Sequence, residues 1–228
     1  ADLVSYVLSE ESPKSLASLL KDKGYIHTLA SGQSSDDDQT SFFEMHIELT
    51  QVGLENKDQV ISHCYEAIHT FQKSGIARYR YDEMVTLAKL DYQYQSRPEV
   101  FSFVESVVAD AQHESLSTYP QRTLWPTTYH SKRAQDFLSE LQASRATYFI
   151  MAPGEKVNVT FDQEEAIAKV KYHVDHVSNQ TLAEWGHADS GNKIALSSPN
   201  PYIPTNLEIV TSSADFNAEK VPQIIAQN

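Results

Sequence analysis

Apolar and polar positions alternate through Phe43, Glu44, Met45, His46, Ile47, Glu48 and Leu49. A period of two predicts one long strand, with one face buried and the other wet or turned toward a cavity. The chain around it reads as elements packed on that strand. Residues 3–8 form an apolar run with Val4, Tyr6 and Val7, which predicts a strand. Ser12 and Pro13 then open a short helix with Leu16, Leu19 and Leu20 at helical spacing. The helix runs into Lys21 and Lys23 and stops at Gly24. Residues 25–30 read as extended and 31–40 as a polar loop.

Between residues 53 and 75 the apolar positions are Val60, Ile61, Cys64, Tyr65, Ile68 and Phe71. They form one helical stripe, which Gly75 ends. A second helix over 78–95 presents Tyr81, Met84, Val85, Ala88 and Tyr92, and Pro98 requires it to end near Arg97. Phe101, Val104, Val107 and Val108 mark a third helix. An irregular connection over 118–129, with Pro120, Trp125 and Pro126, leads to a helix over 131–141 and a strand over 146–151. Beyond Pro153 and Gly154 the pattern weakens to a short strand over 169–174 and a helical turn or two over 181–185. Residues 211–228 are polar and aperiodic, as expected of a linker or tail. The expected fold class is α+β: a mixed or antiparallel sheet with long helices packed on one face. The expected organisation is one domain over 1–210 and a linker over 211–228.

Composition narrows the function classes. With 228 residues, 40% hydrophobic and 21% charged, the chain can bury a core without staples. A net charge of -13 argues against nucleic acid and anionic membranes as partners. The lone Cys64 excludes an internal disulfide and a cysteine-based zinc site. No apolar run approaches the ~20 residues of a transmembrane helix. The N-terminal residues lack the basic and apolar regions of a signal peptide, and they read as a piece of a longer protein. A cytoplasmic and a periplasmic setting both stay open.

Candidate metal chemistry fails on spacing. His63 and His69 share a helix with Glu66, but they sit six residues apart and point in different directions at ~100° per residue. The inverted zinc motif H-x-x-E-H would need histidine at Ala67. His173 and His176 are three apart in an extended segment, where such residues face opposite sides. Asp36, Asp37 and Asp38 lack the ligand spacing and central glycine of a calcium loop and read as a solvated hairpin. No nucleophile elbow, phosphate loop or dinucleotide fingerprint occurs. The residues present no catalytic or metal-binding set.

The order of motifs carries more. The series SPKSL, LLKDKGYIHTLASGQ and FFEMHIELTQVGLEN resembles the second domain of the insulinase (insulysin/pitrilysin) zinc metallopeptidases. That domain carries P-G-S-L, K-x-G, a strand ending near G-Q, and F-x5-L-T-x-x-G-L. The resemblance continues through GIARYRYDEMVTLAKLDYQYQSR, Trp185 and PNPYIPTN, covering about residues 9–210. Lys14 stands where the family has glycine, and Glu10 and Glu11 replace a more histidine- and glycine-rich approach. The family's zinc motif belongs to a preceding domain, and the resemblance implies that the second domain's first strands are expected to lie outside this chain as well.

The resemblance implies a non-catalytic structural and substrate-binding domain of a zinc metalloendopeptidase that cleaves peptides in an enclosed chamber. It implies no activity from this chain alone, no cofactor in it, and zinc in the catalytic domain. The implied partners are peptide substrates and the remaining domains of the parent. An inactive scaffold subunit of a processing-peptidase-like complex is the alternative. In insulysin-like members a peptide adds as a strand near G-Q. Carried over, this puts Leu29, Ser31 and Gln33 on a binding edge, with Glu11 nearby to meet an amine. On that reading Ala30→Pro removes an edge donor.

Overall fold

The computed structural model describes residues 1–35, 41–96, 98–112, 114–115, 117–119, 124–125, 127–189, 191 and 193–207. The aspartates at 36–38, Arg97, the prolines at 120 and 126 and the tail over 211–228 lie outside them.

The alternating segment is a strand, β2 (Ser41–Leu49), paired antiparallel with β1 (Ile26–Ser35). The register sets Ile26 opposite Leu49, Leu29 opposite Ile47, Ser31 opposite Met45 and Gln33 opposite Phe43. Phe43, Met45, Ile47 and Leu49 pack on the core, so the period of two sorts this strand into two faces. β1 extends well past residue 30 into the expected polar loop. Gly32 and the serines around it have low strand propensity, but pairing with β2 carries the strand as far as Ser35 opposite Ser41.

The first element is a helix, α1 (Asp2–Leu8), not the expected strand. A six-residue apolar run fits either period. Packing decides, because Val4, Val7 and Leu8 fall on one helical face and are buried together. Helix α2 (Leu16–Asp22) is capped by the Ser15 hydroxyl, which accepts the Ser18 amide at 3.0 Å. Gly24 follows at φ +68°, the left-handed stop its position predicts.

The stripe after Gly53 is divided. Helix α3 (Gln51–Glu55) ends at Asn56, and α4 (Lys57–Ser74) carries the buried face of Val60, Cys64, Tyr65, Ala67, Ile68 and Phe71. Thr50 ties α3 to the entry of β1: its amide donates to the Tyr25 carbonyl at 2.9 Å and its hydroxyl to the Gly24 carbonyl at 2.6 Å. The backbones approach so closely that a Cβ at Gly53 would lie 1.9 Å from the Tyr25 oxygen. Gly75, at φ +69°, ends α4.

Helix α5 (Arg78–Tyr94) buries only its first turns, at Arg80, Tyr81 and Glu83. Helix α6 (Val100–Asp110) buries no side chain, so the expected packing of all these helices on the strand stops short of it. Helix α7 (Ser131–Glu140) brings Phe137 edge-on to Phe43 at 5.4 Å between ring centroids. The expected strand over 146–151 is absent, because no described strand lies alongside to pair with it. Tyr148 is instead anchored by its hydroxyl to that of Tyr65 at 2.7 Å, while Phe149 is 85% exposed. A second small antiparallel sheet joins β3 (Gln163–Glu164) to β4 (Lys171–Tyr172). Helix α8 (Asn179–Gly186) then stacks Trp185 against Tyr65. The fold is α+β, with its core among α1, α2, β1 and α4, closed by Leu138 of α7, Trp185 and Ile194.

Candidate functional site

β1 has a strand neighbour on one side only among the described residues, and α1 lies along its other edge. Ser31 shows which backbone groups face that edge. Its amide donates to Ser9 Oγ at 2.7 Å, and its carbonyl accepts from Ser5 Oγ at 2.5 Å. Backbone groups in an antiparallel pair alternate between partner and outer edge. Leu29, Ser31 and Gln33 therefore turn their amides and carbonyls outward, while those of Ala30 and Gly32 bond β2. This corrects one expectation: Ala30→Pro would break the ladder, and the outward donors belong to the odd-numbered residues.

A cleft of about 460 Å³ opens beside this edge, lined by Tyr6, Ser9, Glu10, Glu11, Leu29 and Ser31 among others. It brings together three of the four nominated residues. Gln33, the fourth, lies farther along β1 with an exposed side chain, outside the lining. Glu11 stands at the rim but is already paired with Lys21 Nζ at 2.7 Å. An exposed pair of this kind is worth little and can be exchanged for another cation.

Behind the cleft sits a buried ion cluster that the spacing of residues did not reveal. Arg80, 1% exposed, reaches Glu10 Oε2 at 2.7 Å and Glu83 Oε2 at 2.5 Å. Its guanidinium lies 4.8 Å from the centroid of the Tyr6 ring. Glu10 also accepts from Ser197 Oγ and Glu83 from the Asn200 amide, both at 2.6 Å. The Tyr79 hydroxyl donates to the Ser197 carbonyl. Burial raises the Tyr6 phenol above its ordinary pKa, with Arg80 pulling the other way. The cluster thus fixes Glu10 and Asn200, both of which line the cleft. Ser5 and Ser9 escaped the sequence reading because their shared spacing matters only if residues 2–8 are helical.

The described histidines do not converge. His63 Nδ1 pairs with Glu66 at 2.8 Å on a half-buried helix face, and His69 Nδ1 bonds the Ala188 carbonyl at 2.9 Å. His173 pairs with Asp162 at 3.0 Å. Among the described residues no group of three or more His, Cys, Asp and Glu could hold a metal ion. A smaller groove of about 240 Å³ beside His69, Lys73 and His187 offers no catalytic pair.

The family model of the middle or third domain of peptidase M16 matches residues 92–228. The chain belongs to the M16 peptidase family, a family of metallopeptidases. It is 25% identical to the insulin-degrading enzyme of Drosophila melanogaster over 227 residues, 97% of this chain. It is 23% identical to the peroxisomal insulin-degrading enzyme-like 1 of Arabidopsis thaliana over 97% of this chain. Protease 3 of Escherichia coli (strain K12) is 23% identical over 95% of it. The chain spans 22% of the length of each of these relatives. Its fold resembles the crystal structure of pitrilysin, with a TM-score of 0.81 at 21% identity over 90% of this chain and 22% of that one. The resemblance in the sequence therefore named the right family. No helix among the described residues is long and apolar enough to cross a membrane.

Proposed function

We propose that this M16 chain is a non-catalytic structural and substrate-binding domain of a zinc metalloendopeptidase. An extended peptide docks on the outer edge of β1 through Leu29, Ser31 and Gln33, and Glu11 meets its amino terminus. The observation that carries the reading is the outward backbone of Ser31 beside a cleft rimmed by Glu10 and Glu11. Strand addition takes affinity from the main chain, so it tolerates many peptide sequences. An acidic rim favours a cationic amine in a chain of net charge -13.

Zinc in such an enzyme polarises a bound water through an open coordination position. The described histidines do not fit that task, and we assign it to another part of the parent peptidase. Apolar side chains left open support contacts with those parts: Phe101 on α6 is 68% exposed and Met151 is 95% exposed. We divide the chain into a domain over 1–210 and a linker over 211–228.

The edge is tested by Gln33→Pro, which removes an outward donor while leaving the ladder to β2 intact. Peptide affinity falls in the folded variant if the edge binds; unchanged affinity contradicts it. One observation favours the scaffold alternative: the outward groups of Ser31 are already bonded to Ser9 and Ser5. Under that reading the unaltered chain binds no peptide.

A further inference from the structure

A strand that paired with Ser31 would offer a carbonyl to its amide and an amide to its carbonyl. Helix α1 already offers the equivalent of both. Ser9 Oγ accepts from the Ser31 amide at 2.7 Å, and Ser5 Oγ donates to the Ser31 carbonyl at 2.5 Å. Ser31 Oγ closes the set, 2.7 Å from Ser9 Oγ and 3.3 Å from the Ser5 carbonyl. The protons are all accounted for: the Ser9 hydroxyl donates to Ser31 Oγ, and the Ser31 hydroxyl donates to the Ser5 carbonyl. The last turn of α1 holds the two serines together, since the Ser9 amide donates to the Ser5 carbonyl at 2.9 Å.

We infer that Ser5 and Ser9 are affinity-setting residues of the docking edge, occupying as side chains the place of an incoming strand. The inference rests on the docking reading above. A peptide must evict two hydroxyls to pair at Ser31, whereas no described residue bonds the outward groups of Gln33. Docking therefore starts at the Gln33 end and extends past Ser31 only when the peptide gains enough elsewhere to displace α1's hydroxyls. Ser9 caps α1 at its end, where a side-chain rotation frees it at small cost.

The test compares the unaltered chain with Ser5→Ala/Ser9→Ala. Binding of a labelled extended peptide with a free amino terminus is followed by fluorescence anisotropy, and hydrogen exchange is measured at the Ser31 amide. Removing two hydrogen bonds that compete with the peptide raises affinity about tenfold. Without peptide, the Ser31 amide is protected in the unaltered chain and exchanges faster in the variant. Equal affinity in the two proteins overturns the inference and leaves the docking edge standing. No binding by either, with the amide deprotected in the variant, overturns the docking edge and the inference together. An unprotected Ser31 amide in the unaltered chain overturns the inference alone. Alanine is a good helix former, so the variant keeps α1. Ser9→Ala by itself gives the same reading if the double variant melts early.

Discussion

Arg80 and Glu10 pair at 2.7 Å across seventy positions of sequence, with the guanidinium 1% exposed and its Nε without a hydrogen-bond partner among the described residues. Glu83 holds the other arm of the guanidinium at 2.5 Å. One cation thus joins the end of α1, the start of α5 and the segment at Ser197–Asn200, each of which borders the cleft or supports its wall. Replacing such a group by leucine-like bulk strands two carboxylates. Arg80→Met is expected to cost about 3–5 kcal/mol, because the buried partners lose their compensation. Urea unfolding measures this, and Arg80→Lys recovers only part of it, since an ammonium cannot reproduce the fork.

Lys14 adopts φ +67°, in the left-handed region, at the position where the resembling family has glycine. Its carbonyl accepts the Ala195 amide at 3.0 Å, so the conformation is held by a contact to a distant segment. Relief of left-handed strain is worth about 1–2 kcal/mol, and the added freedom of the unfolded chain takes back about 0.4–1 kcal/mol. Lys14→Gly is therefore expected to stabilise the protein by roughly 0.5–1 kcal/mol. A higher melting temperature checks it.

The parts of the fold legible in the sequence are those where one period dominates. The β2 alternation and the α4 stripe each repeat over enough residues to exclude the other period, and Gly24 and Gly75 mark true stops. Residues 3–8 are too few for that, and only the burial of Val4, Val7 and Leu8 against the core selects the helix. Residues 146–151 have strand composition, but a strand needs a neighbour, and local sequence does not supply one. At the site, Leu29, Ser31 and Gln33 came from a motif. The hydroxyls of Ser5 and Ser9 and the Arg80 cluster arise from contacts between segments far apart in the chain, which no local pattern encodes.

Burial pushes the Cys64 thiol up to about 12 from its ordinary 9.0, and it raises the Tyr65 phenol as well, helped by the hydrogen bond Tyr65 donates to Tyr148. The unfolded chain releases the Cys64 proton near 9, while the folded chain keeps it until about 12. The folded state then binds more protons, so this contribution is intact below pH 9 and is lost as pH rises from 9 toward 12. Tyr65 acts in the same direction above its ordinary 10.0. The urea midpoint is expected to fall over this alkaline range, with a shallower fall for Cys64→Ala. At pH 8 a thiol reagent should leave Cys64 unmodified until the protein unfolds.

The central claim is that peptide docks on the outward groups of β1. Its most direct test is amide-resolved magnetic resonance of the labelled chain titrated with an extended peptide bearing a free amino terminus. The account predicts that the amides of Leu29, Ser31 and Gln33 shift and that of Gln33 gains protection, while that of Ser31, already bonded to Ser9, and those of Ala30 and Gly32, bonded to β2, stay protected. Shifts centred on the groove at His69 and His187, or none along β1 at a saturating peptide concentration, would contradict it.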